Sequence, residues 1–171
     1  MQLIAALVSS LNKAVGMLRF KTGLFGSVLF LVSTLAHATL TEAIDAYADK
    51  DYQTAYTLFL PLAQAGNPYA QYGLAKLYED REMSADAFSS IDSTEQNTNQ
   101  NVNQRDKKAF SWYQKAANQE YGISQNNLGL FYEVGKGTQQ DIRQAKHWFR
   151  LACDNRCSEG CKNLQRIEFE E

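Results

Sequence analysis

The chain has 171 residues, 44% of them hydrophobic and 21% charged, an ordinary globular composition. Its basic residues are unevenly placed: residues 1–38 hold Lys13, Arg19 and Lys21 and no acid, which leaves 14 Lys and Arg against 19 Asp and Glu, a net −5, in residues 39–171. An acidic chain has no electrostatic pull on phosphate backbones or anionic lipid heads, which argues against nucleic-acid binding and against docking on a membrane surface.

The N-terminus is predicted to be a secretory signal peptide. After the basic residues an apolar run extends from Leu24 to Leu35 and ends at Ala36-His37-Ala38, the small-x-small triplet that signal peptidase accepts. Twelve residues fall short of the ~20 needed to cross a bilayer, so cleavage after Ala38 is expected over retention as an anchor. Met17-Leu-Arg-Phe-Lys-Thr is by itself a complete signal-peptide start, which suggests that synthesis begins at Met17. No cysteine follows the apolar run closely enough to be a lipoprotein acceptor, so the mature product is expected to be soluble and periplasmic or secreted.

Leu40 to Asp49, with Ala43, Ile44 and Tyr47, is predicted to be a leading helix. From there the chain repeats. Ala109-Phe-Ser-Trp112-Tyr113-Gln-Lys-Ala116-Ala117 superposes on Ala145-Lys-His-Trp148-Phe149-Arg-Leu-Ala152-Cys153 at an offset of 36, and a third copy begins at Ala55. The segments that follow also align, Gln71 to Tyr78 on Gln125 to Tyr132 at an offset of 54. The surplus of 18 residues is an insertion: Glu82 to Gln104 is rich in Ser, Asn, Gln and Asp and is expected to be a disordered loop, because it cannot bury enough surface to offset its ordering entropy.

Each copy carries two amphipathic segments. Ala109, Trp112, Tyr113, Ala116 and Ala117 recur at the spacing of a buried helical stripe, as do Leu128, Phe131 and Tyr132. Gly135-Lys-Gly137 ends one helix, and Asp141 stands where the next needs an N-cap. The reading is two complete helix pairs with partial ends, the last a closing helix from Lys162 to Phe169. Antiparallel helix pairs at a fixed period stack into an all-α, α/α superhelical solenoid over residues 39–171.

The string Leu128-Gly129-x-x-Tyr132-x-x-Gly135-x-Gly137-x-x-x-Asp141-x-x-x-Ala145-x-x-Trp148-Phe149 resembles the Sel-1-like repeat, a relative of the tetratricopeptide repeat with a period nearer 36. The resemblance runs from about Leu40 to Ile167 and implies a role as adaptor or regulator in protein complexes, with a protein or peptide as partner and no cofactor. The first copy departs from it, reading Glu79-Asp-Arg in place of the Gly-x-Gly loop.

Cys153, Cys157 and Cys161 all lie in the last copy. Cys153 stands in the place of Ala117 and Cys161 in that of Gln125, positions that face each other across a hairpin turn. A disulfide between them would contribute on the order of 2–3 kcal/mol, and the run from Ala152 to Leu164 resembles the bacterial cysteine-rich members of the family, in which an eight-residue cysteine spacing staples each pair. Cys157 is left over: it stays free, exchanges with its neighbours, or joins two chains into a dimer. A zinc site of the three cysteines with His147 has the right ligand types but not a recognised spacing.

No catalytic residues are expected. His147 is the single histidine after residue 38, at a position occupied by Ser111 and Thr57 in the other copies. Some cysteine-rich relatives are described as β-lactamases or penicillin binders, which makes β-lactam hydrolysis the alternative. The Ser10-Leu-Asn-Lys13 and Lys21-Thr-Gly23 strings that such chemistry would use both lie in the leader and are too close together. For the binding reading, Tyr56, Phe110, Tyr113, Lys146 and Phe149 on the first helices are the candidate contacts, since aromatics anchor interfaces; packing between repeats is the competing role for each, above all for Tyr113 and Phe149.

Overall fold

A computed structural model describes residues 39–80 and 101–169, all within the compact unit Ala38–Glu171. The expected leader and most of the expected insertion lie outside them. Seven helices follow one another with no strand among the described residues: α1 over 39–48, α2 (Tyr52–Gln64), α3 (Pro68–Glu79), α4 (Asn101–Ala117), α5 (Gly122–Val134), α6 (Ile142–Asp154) and α7 (Ser158–Phe169). They form a leading helix and three hairpins, α2–α3, α4–α5 and α6–α7. Packing runs between chain neighbours, with α7 also touching α5. This is the nearest-neighbour arrangement of a solenoid.

The helix boundaries follow from local chemistry. Asp51 caps α2 by accepting from the Thr54 amide, Asn67 caps α3 by accepting from Tyr69 and Ala70, and Asp141 caps α6 by accepting from Arg143 and Gln144. Pro68 at the start of α3 gives up an amide that has no helical partner there anyway. The three hairpin turns are copies of one another. Gly66, Glu120 and Arg156 occupy equivalent positions, and all three have left-handed backbone. Their amides return to Ala63, Ala117 and Cys153, and the next amides to Leu62, Ala116 and Ala152. This pattern satisfies the last carbonyls of the first helix.

Two boundaries differ from the sequence reading. Helix α4 reaches back to Asn101, so the last residues assigned to the insertion are helical. Helix α7 starts at Ser158 rather than Lys162, because the turn at Arg156 is the same turn that launches α3 and α5. The third pair is therefore complete.

The core is a chain of small clusters rather than one mass. Ala43, Ala55, Phe59, Ala63, Ala70, Leu74 and Leu77 join α1, α2 and α3; Ala75, Tyr78, Ala109, Tyr113 and Phe131 join α3, α4 and α5; Ala145, Phe149 and Ile167 join α6 to α7. Phe59, Tyr113 and Phe149 are one repeat position, buried in every copy. Glycine makes room for two of them: a Cβ on Gly73 would lie 2.6 Å from the Phe59 ring, and one on Gly129 would lie 2.5 Å from that of Phe149.

Candidate binding surface

The candidate contacts fall into two repeat positions. Tyr113 and Phe149 are fully buried with no exposed surface, so their rings serve packing and lie out of a partner's reach in this conformation. Tyr56, Phe110 and Lys146 are one position in three successive copies, half-buried in each. The Tyr56 ring meets Tyr78 edge-on at 6.3 Å, and Phe110 meets Tyr132 at 5.2 Å, both on the second helix of the same hairpin. Trp112 is covered by the Lys115 ammonium, 3.9 Å from its ring centre. The first helices thus spend their aromatics largely on neighbouring helices.

Most of the exposed large apolar side chains lie instead on the second helices, with Ile44 on α1 and Ile142 at the start of α6 as the exceptions. On α5, Ile123, Leu130 and Val134 are 45%, 37% and 68% exposed and fall on one stripe, since spacings of seven and four return to the same helical face. Tyr69, 54% exposed, holds the position on α3 that Ile123 holds on α5. Beside it, Tyr121 in the α4–α5 turn stacks edge-on against Tyr69 at 5.0 Å and Tyr72 at 5.6 Å, and Tyr72 leans on Tyr113 at 6.0 Å. Burial, and next the neighbouring phenols, push Tyr121 above the usual tyrosine range, so its hydroxyl stays protonated and able to donate. The sequence reading missed this face. The available signal was apolar side chains lying off the buried stripe of the second helix.

The edges of the stripe are polar and well tied. Arg166 on α7 donates two hydrogen bonds, each 2.8 Å, to the Glu133 carboxylate on α5, and Asn163 donates to Asn126 at 2.8 Å. At the end of α3, Glu79 accepts from Lys136 Nζ at 2.8 Å and from the Tyr113 hydroxyl at 2.7 Å. Burial is the largest influence on the Glu79 carboxyl and opposes its ionisation, but these hydrogen bonds and the Lys136 charge outweigh it and hold the group below the usual carboxylate range. Asp80 accepts from Tyr47 and Tyr52, and Arg105 donates to the Tyr78 and Asp80 carbonyls, which fixes the approach of α4 to α3. A separate polar cleft of about 500 Å³ lies at the α5–α6 loop, between Tyr132 and the residues from Thr138 to Arg143.

Among the cysteines, Cys153 and Cys161 form a disulfide, so neither offers a thiolate to a metal, and no cluster of metal-binding side chains occurs among the described residues. Cys157 is free and buried, with Gly122 close against its Cβ. His147 is exposed, its ring edge-on to Trp148 at 5.5 Å.

Comparison with known proteins supports the same architecture. The Sel1 repeat family matches residues 68–87, 101–121 and 122–157. The chain is a Sel1-like repeat protein. Its fold is similar to that of a Sel1 repeat protein from Oxalobacter formigenes, at 27% identity and a TM-score of 0.57 over 76% of this chain. A protective antigen of uropathogenic Escherichia coli strains, displaying the same repeat fold, matches at 24% identity and a TM-score of 0.60 over 80%. The chain spans 46% and 26% of those two structures.

Proposed function

We propose that this Sel1-like repeat protein is an adaptor or regulator of the bacterial cell envelope, exported through its N-terminal leader, and that it binds a protein partner on the second-helix face. The observation that carries the reading is the stripe of Ile123, Leu130 and Val134 on α5, large apolar side chains aligned on one face that the repeat packing leaves exposed, with Tyr69 exposed at the repeat position of Ile123 on α3. Exposed, aligned apolar residues with a polar rim are the usual anatomy of a protein-binding patch. The partner that fits is a segment presenting apolar anchors to this stripe, with hydrogen-bond acceptors able to meet the tyrosine hydroxyls at its α3 end. Export is supported by the basic, apolar and small-x-small order of residues 13–38.

The test is a crosslinked pull-down of the tagged protein from its own envelope fraction, beside the same experiment with Leu130→Asp/Val134→Asp. Both substituted positions are exposed, so the fold should be retained and is checked by circular dichroism. The expected result is a captured protein whose recovery falls about tenfold or more in the variant, since apolar anchors each contribute about 1–2 kcal/mol. Equal recovery from both would remove this face from the reading. Sequencing the N-terminus of the tagged protein recovered from the envelope checks export, with Thr39 as the expected first residue.

A further inference from the structure

Each hairpin is fastened at the same point. In α2–α3, Gln71 Nε2 donates to the Ala63 carbonyl at 3.1 Å, and in α4–α5, Gln125 Nε2 donates to the Ala117 carbonyl at 3.1 Å. Donor and acceptor are eight residues apart in both, one at the end of the first helix and one in the first turn of the second. In α6–α7 the same two positions are Cys153 and Cys161, also eight apart and joined covalently, with Cα atoms 4.6 Å apart.

The amide clasps draw on the next hairpin. Gln71 Oε1 accepts from Gln119 Nε2 at 2.8 Å, and Gln125 Oε1 accepts from Asn155 Nδ2 at 2.9 Å. Both glutamines are buried, so each amide needs partners on both its atoms and obtains them. A disulfide needs no such second partner.

We propose that Cys153–Cys161 is a redox-sensitive clasp that replaces the amide clasp in the last hairpin, so that a dithiol reductant loosens α6–α7 and leaves the fastening of α2–α3 in place. In the step itself the Cys153–Cys161 bond breaks, two electrons and two protons pass from the dithiol to the two sulfurs, and the reductant closes its own disulfide. The thiols left behind are weak hydrogen-bonding groups and cannot reproduce the amide bond. The effect reaches the neighbouring hairpin, because the α6–α7 turn carries Asn155, which holds Gln125, and α7 carries Asn163 and Arg166, which hold Asn126 and Glu133 on α5. The proposal is independent of the binding reading.

The protein contains its own reporter, since Cys157 sits between the two bonded cysteines as a buried free thiol. In the full chain, Cys153→Ala/Cys161→Ala removes the clasp and leaves Cys157 as the sole thiol, while Cys153→Ala/Cys161→Gln installs the Ala117/Gln125 pair. Alkylation of Cys157 by iodoacetamide is timed in both and in the oxidised protein. Relative to the oxidised protein the Ala/Ala variant should react roughly 10- to 100-fold faster, as loop-closure entropy for so short a loop implies. The Ala/Gln variant should react about two- to tenfold more slowly than Ala/Ala, the contribution of one net hydrogen bond. An Ala/Ala variant as protected as the oxidised protein, or a Gln variant no slower than Ala/Ala, would overturn the proposal. Hydrogen exchange on the unmodified protein gives a reading that needs no variant to fold. Dithiothreitol should speed exchange across residues 142–169 and leave 52–79 unchanged, and uniform acceleration or none would count against a local clasp.

Discussion

Ser124 and Gly122 show how closely single residues are fitted where the second helices begin. The Ser124 hydroxyl is fully buried and has no hydrogen-bond partner, while the equivalent positions in the other hairpins are Ala70 and Gly160. A buried, unmet hydroxyl costs about 1–3 kcal/mol. Ser124→Ala is therefore expected to stabilise the protein by about 1 kcal/mol, read as a higher urea midpoint with an unchanged slope; a lower midpoint would mean the hydroxyl is satisfied in solution. Gly122 has a different reason to be small: a Cβ there would lie 2.9 Å from the Asn155 carbonyl and 3.2 Å from the Cys157 Cβ. Cys157 is thus a packing residue at the junction of two hairpins. For it to bridge two chains, that junction would first have to open.

The helices themselves are defined by their ends, and the Gly-x-Gly loop after α5 assigns its two glycines separate tasks. Gly135 closes α5 in left-handed backbone, φ 71°, with its amide on the Phe131 carbonyl. Gly137, φ 65°, brings the loop against α4, where a Cβ would come within 2.3 Å of the Asp106 carbonyl oxygen. The first copy lacks this loop, and there Asp80 and Arg105 tie the end of α3 to α4 instead. Gly137→Ala should cost the left-handed penalty plus displacement of α4, about 3 kcal/mol in total. Gly66→Ala, also at positive φ but with nothing within 4 Å, should cost only about 1 kcal/mol. Thermal unfolding of the pair separates the two effects; equal losses would show that the contact with α4 contributes nothing.

Across the whole molecule, stability is passed from neighbour to neighbour, and Glu79 sits where several neighbours meet: on α3, bonded to Tyr113 of α4 and to Lys136 beyond α5. Its carboxyl is held below the ordinary value of 4.5. A depressed folded-state pKa means that the ionised form stabilises the fold. The contribution is complete above the unfolded value and is lost as pH falls through the folded one. Acidification from pH 5 toward 3 should therefore lower the unfolding free energy of the native protein more steeply than that of Glu79→Gln. The check is a urea series at each pH, and parallel pH dependences would remove Glu79 from the acid response.

The repeat period, the helix type of each segment, the caps at Asp141 and Gly135 and the Cys153–Cys161 pairing were legible in the sequence, because each depends on spacing along one or two adjacent helices. The first-helix aromatics were legible as residues but not as surface. Tyr113 and Phe149 have the composition of interface anchors, yet the neighbouring hairpin covers them, and only the stacking of hairpins decides which face of a helix is covered. The same stacking leaves Ile123, Leu130 and Val134 exposed on α5, and it brings Gln119 to Gln71 and Asn155 to Gln125 across hairpins. Periodicity determined that helices would pair and stack. Which apolar residues the stack would bury, and which it would leave exposed, depended on contacts between hairpins that no local pattern encodes.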